Sequence, residues 1–122
     1  MNAAATLLVR QHDGVAQITL NRPAQRNALD LPLLAQLQRE LGRLEADASV
    51  RAVIVSGTGN AFCAGADLAE WAAAEARGEL ETYGWTELAH RVMVALHALN
   101  KPTIAAVNET KKFSRRSCSA GE

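Results

Sequence analysis

Two short runs set the fold class. Ala52-Val53-Ile54-Val55-Ser56 and Thr103-Ile104-Ala105-Ala106-Val107 carry no charge, and each follows a segment with helical periodicity. A strand that is apolar at nearly every position, rather than at every second one, suits burial on both faces, as in a parallel sheet covered by helices. Before the first run, Leu34, Leu37, Leu41 and Leu44 fall on one helix face, with Gln38, Arg39, Arg43 and Glu45 on the polar side. Asp30 is positioned to cap that helix, and Pro32 is tolerated in its first turn. Before the second run, Leu88, Val92, Ala95 and Leu99 share a face until Asn100-Lys101-Pro102 stops the helix. Upstream, the β-rich runs Thr6 to Arg10 and Val15 to Leu20 flank Gln11-His12-Asp13-Gly14, whose Asp-Gly pair signals a hairpin turn. The order hairpin, helix, strand, loop, helix, helix, strand is that of an α/β protein, with no fixed repeat and no linker dividing it.

The first apolar run feeds Gly57-Thr58-Gly59-Asn60-Ala61-Phe62-Cys63-Ala64-Gly65-Ala66, a stretch of small residues through which a ligand can approach the backbone. A glycine-rich loop after a buried strand suggests nucleotide binding, but the letters do not fit. The dinucleotide fingerprint needs glycine where Phe62 stands, and the phosphate loop has no matching lysine. Ser56 is not in a GxSxG elbow. His90 and His97 lack a Cys, Asp or Glu at ligand spacing and read as flank residues of an amphipathic helix, so no metal site is expected. Cys63 and Cys118 form no CxxC pair, and Cys63 reads as a small packing residue. Phe62 and Trp71 read as core or pocket wall, and His12 as an exposed turn residue. With 13 Lys+Arg against 13 Asp+Glu, the chain has no net field to gather nucleic acid or an anionic membrane, so an anionic ligand must be held locally. No run reaches the roughly 20 apolar residues of a membrane span, and no signal peptide opens the sequence, so the expected setting is cytoplasmic.

Four blocks then carry a resemblance: Ile18-Thr19-Leu20-Asn21-Arg22-Pro23, Arg26-Asn27-Ala28-Leu29, Ala61-Phe62-Cys63-Ala64-Gly65-Ala66-Asp67-Leu68, and Lys101-Pro102-Thr103-Ile104-Ala105-Ala106-Val107-Asn108. In order and spacing they resemble the signature blocks of the enoyl-CoA hydratase/isomerase (crotonase) family over roughly residues 15–108. The resemblance implies a crotonase-like fold of stacked ββα units. It also implies acyl-CoA thioesters as substrates, coenzyme A being part of the substrate and no separate cofactor being needed. Such enzymes stabilise an enolate-like oxyanion, which fixed backbone N–H donors hold best. By resemblance, the N–H of Ala66 is one of two donors. Arg26, Ala28 and Leu29, with Ala64, Gly65, Ala66, Asp67 and Leu68, cradle the CoA. Arg26 reads equally well as a phosphate partner or as an exposed turn residue. Asp67 fits a helix cap better than a catalytic acid.

The resemblance stops at Asn108. There the family continues with a glycine-rich loop carrying the second oxyanion donor and, in hydratases, with catalytic glutamates; here the text reads Glu109-Thr110-Lys111-Lys112-Phe113, and no glycine follows until Gly121. Residues 1–108 are therefore expected to be the N-terminal part of a crotonase-like domain, with the fold incomplete. Residues 109–122 are expected to form a divergent, disordered basic tail, from a true terminus or a frameshift. The family is trimeric or hexameric, and most of that interface is expected to lie beyond the match. Expected activity is low, with a non-catalytic acyl-CoA-binding or interaction module, or a non-functional gene fragment, as the alternatives.

Overall fold

The structure, a computed structural model, describes residues 5–107. The expected tail and Asn108 lie outside the described residues. Strands β1 (Leu7–His12) and β2 (Val15–Leu20) form the hairpin, followed by helix α1 (Leu31–Ala46) and strand β3 (Ala52–Gly57). Helices α2 (Leu68–Ala76) and α3 (Trp85–Ala98) then lead to strand β4 (Thr103–Ala106). The four strands lie in the order β1-β2-β3-β4, with β1 antiparallel to β2 and the other two pairs parallel. This mixed sheet bears out the α/β class.

Local chemistry explains the element boundaries. Asp13 and Gly14 both take positive φ, 50° and 84°, and so form the two-residue turn that matches the twist of a hairpin. His12 consequently ends β1 and stands exposed there. Asp30 caps α1 by accepting from the Leu33 N–H at 3.0 Å, with Pro32 behind it in the first turn. Asp67 caps α2 in the same way, accepting from the Glu70 N–H at 3.1 Å.

One layer of helix covers one face of the sheet. Leu33, Leu34, Leu37, Leu41 and Leu44 of α1, with Val92 of α3, bury against Ala16, Ile18, Leu20 and Val53. Alternate residues of the same strands point to the other face, where Gln17 Nε2 donates to Ser56 Oγ at 3.3 Å and Thr19 Oγ1 lies 3.3 Å from the same oxygen. The run Ala52 to Ser56, expected to be buried on both faces, therefore is not. Val53 alone in β3 is fully buried, and all of β4 is exposed, because helices lie on one face only and β4 is the edge strand. No described helix is long and apolar enough to cross a membrane.

Leu44 is completely buried in this single core. Leu44→Ala should lower stability by about 3 kcal/mol, read as a lower urea midpoint with an unchanged slope.

Candidate functional site

The site begins with the peptide between β2 and α1. Arg22 leaves the strand and Pro23 starts a short 3-10 turn, Pro23–Gln25, after which Arg26 and Asn27 both adopt positive φ, 55° and 59°. Asparagine tolerates this region better than most residues. The Asn27 side chain is fully buried and uses both of its N–H donors and its amide oxygen to bind two loops together. Its Oδ1 accepts from the Arg22 N–H at 2.7 Å, and its Nδ2 donates to Thr58 O at 2.9 Å and Ala61 O at 2.8 Å. Gly57 makes room for this arrangement: a Cβ there would collide with the Phe62 carbonyl and stand 2.7 Å from Asn27 Nδ2.

The two loops then run side by side. Ala64 N–H donates to Arg26 O at 2.9 Å, Leu29 N–H to Gly65 O at 2.7 Å, and Asp67 N–H to Leu29 O at 3.2 Å. Leu29 and Ala66 thus form an isolated parallel bridge. In such a bridge Leu29 bonds to the residues flanking Ala66, so the N–H and C=O of Ala66 itself point away from Leu29. Gly65, at φ 104°, allows the turn that sets this direction.

A buried charge cluster locks the loops to the helices. The Arg22 guanidinium lies with Nη1 3.0 Å from Asp67 Oδ2 and Nη2 3.6 Å from Asp30 Oδ2, and Nη1 also donates to Ala28 O at 2.6 Å. Both carboxylates are helix caps, so the N-termini of α1 and α2 converge on one arginine. Burial by itself raises the Asp67 carboxyl, but the Glu70 N–H and the Arg22 charge hold it below the usual carboxylate value. Glu70 reaches back to α1, accepting from the Leu31 N–H at 3.1 Å, and also accepts from the Tyr83 hydroxyl. Burial and that carboxylate push the Tyr83 phenol up, so it stays a donor. Tyr83 and Trp85 both meet Trp71 edge-on, at centroid distances of 5.5 and 6.1 Å, and the Trp85 indole donates to Leu29 O at 2.7 Å. Below this wall a cavity of about 310 Å³, entirely apolar, opens between sheet and helices, with Leu29, Phe62, Cys63 and Trp85 in its lining.

Residues 10–110 match the sequence pattern of the enoyl-CoA hydratase/isomerase family. This chain belongs to that family. It is 41% identical over 103 residues to the enoyl-CoA hydratase ACTT3 of Alternaria alternata, a match covering 80% of this chain and 32% of that protein. It is 40% identical to the 2,3-dehydroadipyl-CoA hydratase of Escherichia coli strain K12, covering 84% of this chain and 38% of that one. The solved structure of Pseudomonas aeruginosa PA4980 is 61% identical with a TM-score of 0.83, over 88% of this chain and 46% of that one. The chain thus spans about a third of the length of these curated relatives and under half of that structure. Such coverage is that of a crotonase-like fold present in part.

Against the family pattern, the residues expected to cradle CoA are gathered in the paired loops. Arg26 is exposed, Ala28 is buried with its carbonyl taken by Arg22, and Leu29 is half-buried. Ala64 is exposed, while Gly65 and Ala66 are half-buried. Asp67 is buried as cap and ion-pair partner, and Leu68 is 77% exposed despite its apolar side chain. Burial raises the Cys63 thiol, in keeping with packing rather than nucleophilic attack. His90 and His97 are exposed, and among the described residues no group of His, Cys, Asp and Glu could hold a metal ion. The sequence reading missed Arg22, the Asn27 side chain, Glu70 and Tyr83 as the framework. An arginine set between a strand and a proline, two caps downstream, was the available signal.

Asp67 is depressed in the folded state, so its stabilisation is present above the unfolded carboxylate value of about 3.9 and is lost as pH falls through the lower folded value. Asp67→Asn should therefore melt below wild type at neutral pH, with the gap closing on acidification below about pH 3.9. Alkylation of Cys63 by iodoacetamide at pH 8, followed by peptide mass spectrometry, should run at least about tenfold slower in the folded chain than in urea.

Proposed function

We propose that this chain carries the thioester-recognition part of a crotonase site. In this reading the Ala66 N–H donates to the thioester carbonyl as negative charge develops on its oxygen. The loops Arg26 to Leu29 and Ala64 to Leu68 hold the CoA moiety, largely through backbone groups. The observation that carries the reading is the Leu29–Ala66 bridge, which turns the Ala66 N–H away from its neighbouring loop at the entry to α2. A backbone donor fixed on both sides needs no reorganisation as charge develops, and the N-terminus of α2 adds its partial positive charge. Small side chains at Ala64, Gly65 and Ala66 leave room for a planar thioester, and exposed Leu68 offers apolar contact beside them. The relatives support the substrate class, since enoyl-CoA and 2,3-dehydroadipyl-CoA are both CoA thioesters. A reducing, cytoplasmic setting fits the free thiol of Cys63.

One donor is half of the oxyanion site that the family uses. Relative to a site with both donors, the Ala66 N–H alone leaves about 2.7 to 4 kcal/mol of transition-state stabilisation unsupplied, and general acid/base groups bring a complete enzyme a further factor of roughly 10² to 10⁴. The chain alone therefore binds acyl-CoA weakly and turns it over at a small fraction of the rate of a complete enzyme.

Titration with butyryl-CoA carrying a ¹³C-labelled thioester carbonyl tests both halves of the reading. The bound carbonyl should shift its infrared band to lower frequency, and Ala66→Pro, which deletes the N–H, should abolish that shift while CoA still binds. A carbonyl band unmoved at saturation, or hydration of crotonyl-CoA at the rate of a full-length relative, would overturn it.

A further inference from the structure

Leu29 is held through both of its backbone groups, and each of these ties reaches the loop that carries Ala66. Its N–H donates to Gly65 O at 2.7 Å, and its carbonyl accepts from the Asp67 N–H at 3.2 Å. Gly65 O and the Ala66 N–H belong to one peptide unit. In a planar trans peptide the C=O and the N–H point in opposite directions, so a bond that fixes Gly65 O also fixes the line along which Ala66 donates. A hydrogen bond received at the carbonyl end also polarises the N–H at the other end. The aim of that donor is therefore only as well defined as the position of Leu29.

The Asp67 contact at 3.2 Å is longer than the other two backbone bonds between these loops, at 2.7 and 2.9 Å. A second donor reinforces it from outside both loops. The Trp85 indole N–H donates to the same Leu29 oxygen at 2.7 Å, the short end of the range for such a bond. Trp85 is the first residue of α3, and its ring is steadied edge-on by Trp71 at a centroid distance of 6.1 Å. The ring also lines the entirely apolar cavity of about 310 Å³, so its one polar atom is directed to the Leu29 carbonyl. Packing alone would require only an aromatic ring at this position. The N–H is what ties α3 to the loop pair.

We propose that Trp85 is a positioning residue for the oxyanion donor, its indole N–H acting through the Leu29 carbonyl to set the direction of the Ala66 N–H. The inference rests on the reading of Ala66 as the thioester donor, and adds to it a residue from a helix outside the CoA-binding pattern.

The test compares the full chain with Trp85→Phe and with a semisynthetic chain in which Trp85 is replaced by benzothienylalanine, a ring of the same shape with sulfur in place of the N–H. Each is saturated with butyryl-CoA carrying a ¹³C-labelled thioester carbonyl, and the infrared band of the bound carbonyl is read beside the affinity for CoA alone and the thermal melt. In the wild-type chain the band falls below its position in solution. Both replacements are expected to return it most of the way to the solution value while CoA alone binds as in wild type. Leu44→Ala, which lowers stability from the far end of α1, should keep the wild-type band. The sulfur isostere carries the test if phenylalanine leaves the chain unfolded. A band shift that survives both replacements, or one lost equally in Leu44→Ala, overturns the positioning role and leaves the reading of Ala66 standing. A wild-type band that does not move overturns the reading of Ala66, and the positioning role with it.

Discussion

The Arg22 guanidinium is 13% exposed and sits where the exit of β2, the first loop and the entries to two helices meet. A single positive charge faces two carboxylates there, with a third, Glu70, a short distance along the network. Such an excess of negative charge would be costly if it rested on the arginine alone. It does not, because Asp30 and Asp67 also receive the N–H groups at the starts of α1 and α2, where the helix dipoles favour anions. The arginine completes two caps that are already electrostatically sound, and its forked geometry lets it reach the Ala28 carbonyl as well. Lysine at this position could not make the same set of contacts. The paired loops of the site depend on this junction, since Ala28 and Asp67 flank the Leu29–Ala66 bridge.

Much of this was legible from the letters. The leucine spacing of α1, its Asp30 cap and the Asp13-Gly14 turn follow from local rules, because each depends on residues a few positions apart. Asp67 could be assigned to α2 as a cap for the same reason. Its ion pair with Arg22 could not, since the two lie far apart in sequence and nothing in composition shows which arginine is buried. Asn27 is similar: a turn residue by type, but a fully buried cross-link by position, spanning to Thr58 and Ala61. The burial on both faces expected for Ala52 to Ser56 went wrong for a related reason. An apolar run states what a strand can tolerate on each face, and the covering layer has to come from elsewhere in the molecule.

The fold is correspondingly uneven. Around α1 the core is closed, with five leucines of one helix buried against β2 and β3. Towards α3 and β4 it is open: Val92 is the one residue of α3 that is fully buried, and an apolar cavity remains between that helix and the sheet. The paired loops stand between the two parts: Glu70 and Asp30 tie them to α1, while Leu29, Phe62 and Cys63 line the cavity on the open side.

The Leu29 carbonyl accepts from two donors, the backbone of Asp67 and the indole of Trp85. One oxygen thereby joins the peptide that aims Ala66 to the aromatic wall formed with Trp71 and Tyr83. A change that repacks Trp71, Tyr83 and Trp85 is therefore transmitted, through one carbonyl oxygen, to the peptide that carries Ala66.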